Sequence, residues 1–248
     1  MELKELIGSA IDIGYHMLNN GAEVFRVEQS IEFICKAYGA KEVDVFAIPT
    51  SIVVTVSNGN DFYTKTKRVT GYQTNLDKVE QLNNLSRYIC LEKPDRSTIN
   101  KMLKDILNRP QYNLMTQILA YSLISYSFAL FFGGNQRDAI VAALVGAFAR
   151  IVIAAMLQLR ANAFFVNILS SMVITAISLQ MISWNFADHF DKLMIGVLMT
   201  LVPGVALANC MRDFIAHDIV AGLSRLAEAL LTATGIAIGV AVILLAAS

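Results

Sequence analysis

Asn209, Arg212, Asp213, His217 and Asp218 follow closely on Pro203-Gly204, inside a stretch, 193–225, that is otherwise largely apolar. A plain membrane anchor has no use for such groups. Proline removes a backbone donor and glycine loosens the chain, so the carbonyls near Val202 and Pro203 need partners other than the usual helical ones. With helix resuming at Val205, Asn209, Arg212 and Asp213 stand at i, i+3 and i+4, and one face carries an amide, a guanidinium and a carboxylate. In hydrocarbon such a face must meet protein or water, which points to a bundle interior or a cavity. A second reading leaves Arg212 and Asp213 as a solvated, orientation-setting pair in a cytoplasmic loop.

Other ionisable groups in apolar surroundings extend this set. Arg150 lies well inside one apolar run, where it either faces a polar interior or snorkels to the interface, and Arg225 and Glu228 flank the start of another. The candidates for a substrate or ion pathway are therefore Arg150, Pro203, Gly204, Asn209, Arg212, Asp213, Asp218, Arg225 and Glu228. An apolar environment disfavours the charged form of a carboxylate, so Asp213, Asp218 and Glu228 are the groups suited to carry a proton if transport is an antiport. Glu228 has two readings, as such a carrier or as a partner of Arg225 at the membrane interface.

The elements that hold these residues divide the chain in two. Its 248 residues are 55% hydrophobic with a mean hydropathy of +0.52, but most of the charge precedes residue 110. Residues 1–110 read as a cytosolic α/β domain and residues 111–248 as a membrane domain. Five apolar stretches, 113–132, 138–157, 164–183, 192–210 and 226–247, each have about the 20 residues a crossing helix needs. The expected fold is an α-helical polytopic membrane protein with five transmembrane helices. Its amino-terminal α/β domain contains a small antiparallel sheet.

In the first part, Leu3, Leu6, Ile7, Ala10, Ile11, Gly14 and Leu18 recur at helical spacing and Asn19-Asn20-Gly21 stops the helix. A second amphipathic helix runs from Ala22 to about Tyr38. Alternation at Val43, Val45 and Ala47, an interruption at Pro49-Thr50, and the run SIVVTVS predict strands. Asn58-Gly59 then predicts a hairpin turn into DFYTKTKRV. Two helices follow, with Asn75 and Ser97 as caps.

Two motifs bear a family resemblance. PGVALANCMRDFIAHDIVAGLSRLAEALL resembles the membrane signature of the bacterial threonine/serine exporter family through Pro203, Gly204, Arg212, Asp213, Asp218, Gly222 and Arg225. His217 stands where that pattern has glycine. GAEVFRVEQ resembles the family's amino-terminal motif through Gly21, Ala22, Glu23, Arg26, Val27 and Glu28. Read as residues, Glu23 and Arg26 are an i, i+3 pair worth roughly 0.2–0.5 kcal/mol on a surface. The alternative makes Glu23, Arg26 and Glu28, with Thr50 nearby, a gate contact or a small-ligand site.

The resemblance covers nearly the whole chain and implies an exporter of threonine and serine, with dicarboxylates such as succinate as the alternative cargo. It further resembles the split branch of the family, in which a separate small membrane subunit supplies further helices. Such a subunit and a homo-oligomer are the expected partners, in a bacterial inner membrane.

Several classes are excluded. Net charge is zero without a dense basic tract, which argues against nucleic acid. Cys35, Cys90 and Cys210 have neither metal-ligand nor disulfide spacing, no phosphate-cradling loop occurs, and no cofactor or metal is expected. The amino terminus lacks a basic segment followed by an apolar one, so no secretory signal is expected. With the first domain inside, Arg160 and the charges from Arg212 to Arg225 are cytoplasmic, and Arg137, Trp184, Asp188 and Asp191 face out, as does the carboxyl terminus. The rival functions are a membrane-bound hydrolase and a ligand-sensing scaffold; His16 has no Ser/Asp or Cys partner at catalytic spacing.

Overall fold

The computed structural model describes residues 3–59, 61–71, 73–159 and 161–247; Arg160 lies outside them. The protein is mostly helical with one small sheet, and it divides into two compact units. One comprises Met1–Pro110 with Gly204–Ala227, the other Gln111–Pro203 with Glu228–Ser248. The segment 204–227, assigned by its apolar character to the membrane part, thus packs with the amino-terminal elements.

In the first unit, α1 (Leu3–Asn19) is the central element. Leu6, Ile7, Ala10, Ile11, Ile13, Met17 and Leu18 are all buried, so its contacts run round the helix instead of along one stripe. The amphipathic reading understated this because α1 is covered by α2 (Val24–Ala37), α3 (Leu76–Glu92), α4 (Arg96–Leu107) and the sheet. A Cβ on Gly14 would stand 2.5 Å from Ile31 Cδ1, so glycine permits the close approach of α1 and α2. The sheet is antiparallel in the order β1 (Glu42–Ile48), β2 (Ser51–Ser57), β3 (Phe62–Arg68). Ile52, Val54 and Val56 turn one face of β2 into the core, while β3 is an exposed edge carrying Lys65, Lys67 and Arg68. Asn75 caps α3 as expected. α4 is capped by Asp95, not Ser97, because Asp95 Oδ1 accepts from both the Thr98 amide and its hydroxyl.

The second unit holds α5 (Leu114–Phe131), α6 (Gln136–Gln158), α7 (Ala163–Ser183), α8 (Phe190–Leu198) and the greater part of α10 (Ile219–Ala247). Among the described residues four helices, α5, α6, α7 and α10, are long and apolar enough to cross a membrane. The expected fourth crossing, 192–210, is not one helix. It consists of α8, a non-helical stretch at 199–203, and α9 (Gly204–Ile215), which belongs to the first unit. Proline opens α9 instead of breaking its interior, a position where its missing amide costs nothing.

α8 is nevertheless enclosed. Leu193 and Val197 are fully buried among α5, α6 and α7, and a Cβ on Gly196 would stand 2.8 Å from Ala129 N. Small residues elsewhere serve the same purpose: side chains at Gly146 and Gly239 would run into Ser125 and Ser171. α10 starts seven residues before the predicted crossing at 226, since its first turns pack Ala221 into the core of the first unit.

Candidate functional site at the corner between α1 and α2

Helix α1 ends in a Schellman turn. Ala22 N donates to Met17 O at 3.0 Å and Gly21 N to Leu18 O at 3.1 Å, and Gly21 takes φ +95°. That turn leaves the carbonyls of Gly21 and Ala22 beyond both helical ladders, immediately before Glu23 and the first amide of α2. These groups need partners.

They come from α9 and α10. Asn209 Nδ2 donates to Gly21 O at 2.9 Å, and Arg225 Nη2 donates to Ala22 O at 2.6 Å. Arg212 pairs with Glu23 Oε1 while Arg26 Nε donates to Glu23 Oε2 at 2.8 Å. Glu23 is 7% exposed, so the two guanidinium groups compensate a nearly buried carboxylate. Arg225 Nε stands 3.1 Å from Asp213 Oδ2, and neither residue is more than 2% exposed. This is a charge contact without hydrogen-bond alignment. Both Asp213 oxygens and Arg225 Nε and Nη1 have no hydrogen-bond partner among the described residues.

Asn209, Arg212 and Asp213 therefore do share one face, but that face meets the α1–α2 corner, not a cavity among membrane helices. Nor are Arg212 and Asp213 a solvated pair. Arg225 is committed to Asp213 and Ala22 instead of Glu228. The pair of Glu23 with Arg26 exists, yet it is one half of a larger cluster. Burial pushes the Asp213 carboxyl above the usual carboxylate range; Arg225 and the Val24 amide pull it down, and Asp218 and Glu23 add to the rise.

The turn that aims α9 at the corner is a second Schellman turn. Asp218 N donates to Asp213 O at 2.9 Å and His217 N to Phe214 O at 3.1 Å, with His217 at φ +66°. The left-handed geometry of the glycine position is kept by a histidine, at a cost in strain. Gly222 follows because a Cβ there would stand 2.6 Å from the Phe214 ring. Nothing lies near enough to Gly204 for space to demand glycine.

Other candidates lie apart from the corner. Glu28 Oε1 accepts from Ala47 N at 2.7 Å and ties α2 to β1; burial raises its carboxyl above the usual range, the Ala47 amide lowers it, and Asp218 adds to the rise. Thr50 sits in the β1–β2 turn, where its carbonyl accepts from Val69 N. His16 is half-buried, edge-on to Tyr15, and burial and Lys67 lower its pKa. Arg150, Pro203 and Glu228 belong to the second unit. There, Gln117 Oε1 accepts from Arg150 Nε at 2.9 Å and from Nη2, and the Tyr121 ring centroid is 5.7 Å from the guanidinium.

Sequence reasoning missed Asp138. Fully buried, it closes a capping box with Asn135 and also accepts from the amides of Asp188 at 2.7 Å and His189 at 3.0 Å, with His189 Nδ1 at 2.8 Å. The Asn-x-x-Asp spacing was visible, but its second set of partners lies some 50 residues away.

The corner joins carboxylates and guanidinium groups in salt bridges; among the described residues no cluster of metal-ligating side chains occurs. Residues 9–246 match the ThrE family, described as "Putative threonine/serine exporter". No curated protein and no solved structure matches the chain. The match spans both units and takes in every residue of the corner, so the chain belongs to the ThrE threonine/serine exporter family and is a multi-pass membrane transport protein.

Proposed function

We propose that the chain is one subunit of a bacterial inner-membrane secondary exporter of threonine and serine, coupled to protons through Asp213 and Asp218. The observation that carries this is the buried Asp213–Arg225 pair, with unpartnered polar atoms, placed directly after an enclosed half-helix and its break. Irregular backbone at membrane depth is tolerated where protein encloses it, and broken helices of this kind line transport paths. Protonation of Asp213 removes the counter-charge of Arg225 and loosens the grip of Arg225 on Ala22, which links proton binding to the α1–α2 corner.

Parity supports five crossings. Residues 1–110 and 204–227 pack in one unit, so the chain between them crosses an even number of times. Helices α5, α6 and α7 account for three, and the short α8 with the stretch to Pro203 makes the fourth. α10 is then the fifth, leaving the amino terminus cytoplasmic and the carboxyl terminus outside. Within the chain, only 11% of the α5 window and 17% of the α10 window is buried. Such open faces suit a second small membrane subunit and further copies of this chain.

In inside-out vesicles, Asp213→Asn and Asp218→Asn are expected to lower pH-driven threonine flux about tenfold or more. Full flux in both variants refutes the coupling, and robust flux by this chain alone in proteoliposomes refutes the need for a second subunit. Dicarboxylate export is the alternative within this class. Ligand sensing is a second reading, favoured by an open cavity of about 560 Å³ lined by Lys4, Glu5, Gly8, Lys65 and Arg96. Retained transport in a Lys65→Ala, Arg96→Ala variant leaves that cavity outside the transport path.

A further inference from the structure

We infer that the cavity between α1 and β3 in the first unit binds a small phosphate monoester through Lys4, Lys65 and Arg96. This rests on the ligand-sensing reading of that cavity and gives it a ligand class; it does not depend on what the chain exports.

The inner face of the sheet stops being apolar at its edge. Tyr63, Lys65 and Lys67 stand in register with Val56, Val54 and Ile52, which are buried, so the side of β3 that faces α1 carries a phenol and two ammonium groups. Lys67 is compensated: it pairs with Asp12 of α1 and lies 4.4 Å from the Tyr15 ring centroid. Two residues back along β3 and one turn back along α1, no acid meets Lys65. Its Nζ comes to 3.4 Å from the place of a Cβ on Gly8. Lys4, a further turn back on the same face of α1, adds a second cation, and among the described residues neither Lys4 nor Lys65 has an ion-pair partner.

Glycine at position 8 leaves room. A Cβ there would meet nothing within 4 Å among the described residues except that ammonium group. The open cavity holds about 560 Å³, within the roughly 300–1,000 Å³ of small-molecule sites. Arg96 closes it from α4: its Nη1 donates to Glu5 Oε1 at 3.0 Å, but both side chains are about half exposed, so the pair is weak and Arg96 can turn to a ligand. Asp95, the next carboxylate, is taken by Thr98. Three cations against the single carboxylate of Glu5 leave two positive charges on the lining. That balance suits a dianion, and a phosphate monoester carries about −1.5 to −2 near neutral pH. Its oxygens surround one centre, which suits ammonium groups arriving from one helix face and one strand; a dicarboxylate spreads its charge over two centres. The Tyr63 ring, also on the lining, offers a flat apolar surface to the organic part of the ester.

The test is titration of the full-length chain, in phosphatidylcholine nanodiscs near neutral pH, with phenyl phosphate. Saturable binding with a Kd below about 1 mM is expected. Methyl phenyl phosphate, a monoanion, and succinate are each expected to bind about tenfold more weakly or worse. Lys65→Ala is expected to weaken phenyl phosphate binding about tenfold. Gly8→Leu, which places a good helix former whose side chain grows into the cavity, is expected to abolish binding with helical content by circular dichroism unchanged. Absence of saturable binding, unchanged affinity in Lys65→Ala, or a monoanion or succinate that binds as well as phenyl phosphate overturns the inference. Should Gly8→Leu fail to fold, Lys65→Ala and the competitor series decide. Phosphatidic acid in the discs that weakens phenyl phosphate binding assigns the ester to a lipid head group; undisturbed binding assigns it to a soluble metabolite, and the recognised group is the same. Phenyl phosphate that binds yet leaves threonine flux in vesicles unchanged upholds this site and refutes the sensing reading.

Discussion

Removing one partner of the Asp213–Arg225 pair is the most direct probe of the corner. Both groups are at most 2% exposed, so Asp213→Asn leaves Arg225 as a buried cation whose remaining tie is the Ala22 carbonyl. Uncompensated buried charges of this kind cost about 3–5 kcal/mol. The double variant Asp213→Asn, Arg225→Gln removes both charges, and its loss is expected to fall about 2 kcal/mol short of the sum of the single losses. Thiol labelling reads this locally, because Cys210 is buried on α9 beside Asn209. Cys35 is the control: it is buried on α2, and its thiol is pushed up to about 12 by burial, so it reacts only when the unit unfolds. A 3 kcal/mol loss raises the Cys210 labelling rate about a hundredfold. Unchanged Cys210 labelling in Asp213→Asn, or strictly additive losses in the double variant, refutes the claim that this pair holds α9 and α10 to the corner.

Three further perturbations test the surrounding structure. His217→Gly relieves a left-handed residue and is expected to raise the stability of the first unit by up to about 1 kcal/mol, read by the same thiol labelling. Glu28→Gln keeps an acceptor for the Ala47 amide but cannot ionise. Because the Glu28 carboxyl titrates above its ordinary value, its contribution is full below the unfolded pKa and lost as pH rises through the folded one, so the variant is expected to flatten stability against pH above about 4. An unchanged pH profile counts against it. Asp138→Asn retains a single acceptor oxygen for four amide and ring contacts and is expected to cost about 2–4 kcal/mol. Trp184 lies on the loop that Asp138 ties down, so its fluorescence should shift to longer wavelength at lower denaturant.

Local features of this fold were legible because they depend on neighbours in sequence. Apolar runs of sufficient length marked α5, α6, α7 and α10, alternation marked β1, the run SIVVTVS marked β2, and Pro203-Gly204 marked the place where helix stops before α9. The i, i+3, i+4 spacing put Asn209, Arg212 and Asp213 on one face, and they are there. Hydropathy could not tell α8 and α9 from one continuous crossing helix, since enclosure in protein and enclosure in lipid select the same residues. It also hid the depth of α1, whose polar-side positions are covered by other elements.

Which surface a face meets is set by chain segments far away. Arg212 pairs with a residue 189 positions earlier, and Arg225 reaches a carbonyl 203 positions earlier. Sequence alone determined the two charged motifs, their periodicity and their family likeness. Tertiary packing alone decided that they form one site: the turn after α1 leaves carbonyls unpaired, and the nearest donors folded against them belong to α9 and α10. Backbone polar groups must be satisfied somewhere, but periodicity carries no information about where.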